Sequence, residues 1–129
     1  MFSIVFLLIN WDIIVNYTEK LLCPGFWDLS EGPKEVDVYF FDLDYDPTSA
    51  QLAEEYDLRD FRPDFAAQAA VNEEDPTFAD ERPNALQWDM QNGVASSAIF
   101  GRWHGGRAVD IRRNNRGWRQ LYRFGGVLK

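Results

Sequence analysis

The stretch EVDVYFFDLDYDP, Glu35 to Pro47, decides how the chain is read. Side chains alternate across a strand with a period of two. Val36, Val38, Phe40, Asp42 and Asp44 therefore share one face, and Asp37, Tyr39, Phe41, Leu43 and Tyr45 the other. The first face is apolar as far as Phe40 and acidic from Asp42 onward. Either a bulge intervenes near Phe40-Phe41 or the strand leaves the core at Asp42. Asp46-Pro47-Thr48-Ser49 then carries helix-start signals, with Asp46 as cap and Pro47 at the first helical position. Leu52, Ala53 and Tyr56 follow at core spacing, with Glu54 and Glu55 toward solvent. A strand running into a helix frames the rest. The expected class is α+β: a small single domain, 1–129, with a mixed or antiparallel sheet, two or three short helices and a C-terminal β-hairpin.

Toward the N-terminus, Phe2 to Ile9 is an unbroken apolar run with branched residues, which fits a buried central strand. It lacks the basic flank and small-residue cleavage site of a secretory leader and is shorter than a spanning helix needs. A soluble, cytoplasmic protein is expected. Asn10 or Asp12 caps a helix through Leu22 with Trp11, Ile14, Val15, Thr18, Leu21 and Leu22 on one side, stopped by Pro24-Gly25; a second strand is the alternative. Residues 25–35 are turn-rich, with Trp27 and Leu29 placed to plug the core edge.

Toward the C-terminus, Pro63 opens a short helix, PDFAAQAAV, whose alanines allow close packing. Residues 72–85 read as a polar connection and the most flexible segment. Gly105-Gly106 and Asn114–Gly117 are turn signals around RAVDIRR, which predicts a hairpin of Arg107–Arg113 with Trp118–Phe124, and Ala95 to Phe100 as a third strand.

Composition bounds the chemistry. The chain has 129 residues, 46% of them apolar, with ten Phe and five Trp, enough for one real core and far from a disordered composition. A single cysteine, Cys23, excludes an internal disulfide and a multi-cysteine zinc site, and a single histidine, His104, excludes sites needing several imidazoles. The net charge of −8 hides a split: residues 1–90 hold twenty Asp and Glu against five Lys and Arg, whereas residues 91–129 hold one Asp against seven Arg and one Lys. The acidic segment (residues 1–90) and the Arg-rich β segment (residues 91–129) are expected to pack together.

Three constellations carry possible chemistry. Asp42, Asp44 and Asp46 could converge on a hard cation such as Mg²⁺ if the strand continued through them, with Asp37, Asp89 or Asp110 as a further ligand. The phrase FDLDYD resembles the Asp-x-Asp strand end of the haloacid-dehalogenase-like phosphatases. That resemblance implies Asp42 as nucleophile and Asp44 as acid/base; it departs at Asp46, where the family has Thr or Val, and in the later Lys and acidic ligands. The competing reading makes Asp46 a helix cap and leaves Asp42 and Asp44 in solvent. His104, between Trp103 and Gly105-Gly106, lacks nucleophile partners at motif spacing and reads as a loop residue.

The arginines form the second constellation. Arg112, Arg113, Arg116, Arg119 and Arg123, with Trp118, are the ingredients for phosphate contact and base stacking, and Arg102, Arg107, Trp103, Tyr122 and Phe124 lie near them in sequence. The alternative is an internal brace against the acidic segment. The third is the acidic surface: Asp57, Asp60, Asp64, Glu73, Glu74, Asp75, Asp80 and Glu81, anchored by Trp88 and by Trp27, Phe61, Phe65 and Phe78. This surface is the leading expectation: a protein that binds a basic partner, as an inhibitor or regulator occupying a nucleic-acid-binding site, with no cofactor. A metal-dependent phosphoryl-transfer or nuclease-like enzyme and a direct nucleic-acid binder are the alternatives.

Overall fold

The computed structural model describes residues 2–5, 35–103 and 105–129. Along them run β1 (Phe2–Val5), β2 (Glu35–Phe41), α1 (Ser49–Leu58), β3 (Phe61–Arg62), α2 (Phe65–Glu74), α3 (Phe78–Glu81), β4 (Asn84–Gln91), β5 (Val94–Trp103), β6 (Gly106–Asn114) and β7 (Arg123–Leu128). The sheet order is β1-β2-β7-β4-β5-β6, with β3 also paired to β7. Only β4 and β7 run parallel among the described pairs, so the sheet is mixed and the class is α+β as expected. Cys23, His104, the segment read as a helix through Leu22 and all of the turn-rich connection 25–35 but its last residue lie outside the described residues.

The strand begun at Glu35 ends at Phe41, so the chain leaves the sheet at Asp42 rather than bulging. The helix that follows starts two residues later than its Asp-Pro signal indicates. Thr48 is the cap: its hydroxyl accepts from Gln51 N at 3.1 Å while Gln51 Oε1 accepts from Thr48 N at 2.9 Å. This reciprocal box satisfies two otherwise unpaired donors. Asp46 instead accepts from Gln120 N at 2.9 Å, which ties the loop to a distant segment. Leu52 and Tyr56 are buried as their spacing requires. Glu55 departs from expectation: it binds Arg59 at 2.7 Å and accepts from the Tyr45 hydroxyl at 3.0 Å.

Asp64 caps α2 by accepting from Ala67 N at 3.0 Å; replacing such a cap with Ala costs about 1 kcal/mol. The small side chains of Ala66, Ala67, Ala69 and Ala70 then let α2 lie close on the sheet. Residues 72–85, expected as a loose connection, contain the end of α2, the turn of α3 and the start of β4. Local polarity misleads here because Phe78 and Ala79 pack onto the core.

Strand parity sends side chains to two cores. On the α2 side lie Val38, Phe65, Leu86, Trp88, Ala98, Phe100 and Val127, with Phe40, Val109 and Ile111 at the margin. On the α1 side lie Leu52, Tyr56, Ala85, Trp118 and Phe124, with Phe41, Phe61, Ile99 and Tyr122 packed against them. The sheet is thus covered on both faces. Fully burying a residue such as Phe124 contributes about 1.5–3 kcal/mol.

The C-terminal hairpin is present with different partners. β6 spans the expected Arg107–Arg113, but it pairs with β5, from Trp103↔Gly106 to Ala95↔Asn114. Residues 115–122 cross the α1 face instead, and β7 enters between β2 and β4. The reason lies in Trp118, whose buried indole donates to Gln87 Oε1 at 2.8 Å and whose backbone N–H donates to Pro47 O at 2.8 Å. A second hairpin joins β4 to β5 through Asn92 and Gly93, at φ 54° and 77°, the left-handed pair that a tight hairpin turn needs. β1 stands at one end of the described sheet, beside β2, rather than at its centre. Among the described residues no helix is long and apolar enough to cross a membrane.

Candidate functional site

Ion pairs sort the charged side chains into those committed inside the fold and those left over. Asp80 holds both Arg102, at 3.5 Å, and Arg107, at 3.1 Å. Arg113 reaches Asp89 at 3.4 Å, Ser96 Oγ at 2.8 Å and Val94 O at 3.2 Å, fastening β6 to the β4–β5 hairpin. Arg123 lies 3.7 Å from Glu81 and over the Phe78 ring. Arg112 is bonded to Asp110 on its own strand. Arg116 and Arg119 are exposed, and among the described residues neither guanidinium has a carboxylate partner. Among the described residues the Arg-rich segment is therefore a brace at most positions and exposed without a carboxylate partner at two.

Those two arginines line a groove of about 410 Å³ on the sheet face that α1 also covers. Its floor is Ser97, Ile99, Asp110 and Arg112, which pair across β5 and β6 as Ser97↔Arg112 and Ile99↔Asp110. Its far wall is the crossover, with Arg116, Gly117, Trp118, Arg119 and Tyr122. Trp103 closes one end. Two residues from Gly101 on the same strand face, its ring lies so close that a Cβ on Gly101 would meet it at 2.9 Å. Glycine at 101 is what lets the indole fold down over the strand, and Trp103 as a residue remains 39% exposed. The site thus combines an exposed indole with two guanidinium groups that have no carboxylate partner among the described residues.

The crossover wall is held firmly. Asn114 accepts from Arg116 N at 2.9 Å and donates to Gly117 O at 3.2 Å, a side-chain-closed turn. Gly117 has φ 78°, and a Cβ there would sit 2.9 Å from Pro47 O, so both conformation and space demand glycine. Arg82 forks onto Gln120 O at 2.8 Å and Leu121 O, and its other arm meets Asp42 at 2.6 Å. Tyr122 stacks edge-on against Trp118 at 5.5 Å. Arg116 and Arg119 are therefore presented from a pinned backbone, which lowers the ordering cost of binding. The hydrogen bond from Arg112 to Asp110 holds the guanidinium more firmly protonated than usual.

The acidic surface fares differently. Asp57 is bonded to Lys129 at 2.7 Å and raises the pKa of that ammonium. Asp64 is a buried cap with Arg62 at 3.3 Å, and Asp80 and Glu81 meet the arginines named above. Asp75 accepts from Thr77 Oγ1 at 2.9 Å. Asp60, Glu73 and Glu74 are exposed. Trp88 is not an exposed anchor: it is buried against Phe65, itself buried, because both point into the α2-side core. Phe61 and Phe78 are half-buried, and Trp27 lies outside the described residues. Trp118, expected as a stacking residue, is likewise core.

The carboxylates of FDLDYD do not converge. With the strand ended at Phe41, Asp42, Asp44 and Asp46 lose their common face; Asp42 meets Arg82 and Asp46 meets Gln120 N. Asp89 and Asp110 are engaged by Arg113 and Arg112. Among the described residues no three His, Cys, Asp or Glu side chains are gathered so as to hold a metal ion. Sequence order does not reveal Ser97, Ile99 or Asp110 as the floor of a groove. The available signal is the Gly101-x-Trp103 spacing, which places a large ring over a residue without a side chain.

The fold and groove define a mixed-sheet α+β domain with an open aromatic and cationic cleft. No family model, curated protein or solved structure matches the chain.

Proposed function

We propose that this protein works by binding single-stranded nucleic acid in the groove between β5–β6 and the 115–122 crossover. One observation carries the reading: the two C-terminal arginines without a carboxylate partner among the described residues line the same cleft as the exposed Trp103 ring. Arg116 and Arg119 supply forked donors to backbone phosphates, and Trp103 supplies a face for a base. A net charge of −8 opposes a long duplex footprint but leaves a short, local contact available to an unpaired strand. The acidic-surface reading shares the premise that the chain acts by binding, but the cations on Asp57, Asp64, Asp80 and Glu81 subtract from it.

The test is fluorescence anisotropy of labelled oligothymidylate and oligouridylate across a salt series. With two or three phosphate contacts, log K falls against log salt with a slope of about −1.5 to −2. Arg116→Ala and Arg119→Ala each weaken binding and reduce that slope by about 0.7. Trp103→Ala weakens it by about 1–3 kcal/mol with the slope unchanged. Absence of binding at low salt, or binding indifferent to all three substitutions, overturns the proposal. Capture of a basic protein through Asp60 and Glu74 in the same preparation would then restore the acidic-surface reading.

A further inference from the structure

Among the described residues the groove is lined by one carboxylate, Asp110, and its position is informative. Asp110 and Arg112 stand two residues apart on β6, so both project to the groove face, beside Ile99 and Ser97 of β5. The guanidinium Nε donates to Asp110 Oδ1 at 3.2 Å and an amino nitrogen donates to Oδ2, the two-pronged geometry by which arginine also grips a phosphate. Asp110 is the more sheltered partner, with 32% of its side chain exposed against 64% for Arg112. The carboxylate is therefore the stationary member and the guanidinium the one able to swing.

We infer that Asp110 is an internal competitor for the anionic ligand of this groove, occupying Arg112 until a phosphate displaces it. This rests on the proposed binding function and adds a residue that limits affinity. In the empty groove Asp110 neutralises one of three arginines, so weakly charged or single anions meet only Arg116 and Arg119. A chain of phosphates engages those two first and then competes with Asp110 for Arg112 at high local concentration. The device favours a multi-phosphate strand over isolated phosphate.

The expected effect has the opposite sign to the arginine substitutions: removing a groove residue tightens binding. Asp110→Asn is compared with wild type by anisotropy of labelled oligothymidylate over a salt series, with inorganic phosphate as competitor. The expected result is an affinity gain of up to about five-fold, the range an exposed ion pair can withhold. The salt slope steepens by about 0.7 as Arg112 joins the contact. Glu74→Gln removes an equal charge from an exposed position outside the groove and controls for the overall field. In an Arg112→Ala background Asp110→Asn changes nothing beyond that control. Asp110→Ala serves as the second variant should the amide replacement fold poorly. Unchanged or weaker binding, a gain no larger than in Glu74→Gln, or a gain that survives Arg112→Ala overturns the inference. If wild type binds the oligonucleotide but Asp110 variants behave as controls, only this inference fails; if wild type binds no oligonucleotide, the functional proposal fails with it.

Discussion

Gly125→Ala tests the placement of β7 between two packed faces. A Cβ at Gly125 would collide with Gln68 Oε1 and lie 2.6 Å from Gln68 Cδ and 2.9 Å from Phe40 Cε1. Gln68 is fully buried on α2 and cannot swing away cheaply, because its amide donates to Asn84 Oδ1 at 3.0 Å and Ala85 O at 3.2 Å. Overpacking of this kind costs about 1–3 kcal/mol. Restricting the unfolded chain by replacing glycine returns about 0.4–1 kcal/mol. The net expectation is a loss of about 1–2 kcal/mol. In urea denaturation that lowers the midpoint by about 0.5–1 M at an ordinary denaturant dependence. Gly106→Ala is the internal control: the nearest atom to its Cβ would be Trp103 O at 4.0 Å, so the variant is neutral or slightly stabilised. In a Gln68→Ala background the Gly125→Ala cost shrinks by about 1 kcal/mol, since the obstructing side chain has gone. A Gly125→Ala midpoint at or above wild type would refute the packing of α2 on β7.

Two further perturbations probe the loops that shape the groove. Arg82→Ala removes the fork onto Gln120 O and Leu121 O together with the Asp42 ion pair; with Arg82 partly solvated, the expected cost is about 1–2 kcal/mol. Hydrogen exchange at the Trp118 and Gln120 amides accelerates, Arg82→Lys recovers only part because an ammonium cannot fork, and unaltered exchange would refute a clamp. Glu55 is held below the ordinary carboxylate range first by its hydrogen bond from Arg59 and then by that from Tyr45, so it stabilises the fold above the unfolded value of 4.5 and stops doing so as pH falls through its lowered folded value. Urea midpoints of wild type and Glu55→Gln, measured from neutral pH down through that range, converge at the acid end; a constant gap would contradict the assignment.

Local signals identify the elements where the chemistry is local. Pro63 before an alanine-rich run announces α2, although the helix starts two residues later, at Phe65, with Asp64 as its cap; the break in character at Asp42 announces the end of β2. Asn92-Gly93 is a turn signal of the same strength, and it pins β4 to β5. The start of α1 is ambiguous by two residues because Asp46 and Thr48 both have the chemistry of caps; Gln51, three beyond Thr48, completes the box that decides between them. The candidate site is less legible. Arg112, Arg113, Arg116, Arg119 and Arg123 are equivalent in composition, and nothing along the chain separates the braces from the surface.

What the amino-acid sequence determined by itself was the inventory: a core rich in aromatics, an α+β alternation of strand and helix signals, and an acidic stretch followed by an arginine-rich one. Those follow from periodicity, propensity and charge, which act over a few residues. Only tertiary structure decided that Trp118 is core while Trp103 is surface, and that Asp80 neutralises Arg102 and Arg107. It also decided that Arg116 and Arg119 stand over the same cleft. The physical reason is that, leaving β6, the chain must pass β5 and β4 for β7 to reach its place beside β2. That crossing brings residues 115–122 over a sheet face chosen by non-local pairing, which no local periodicity encodes.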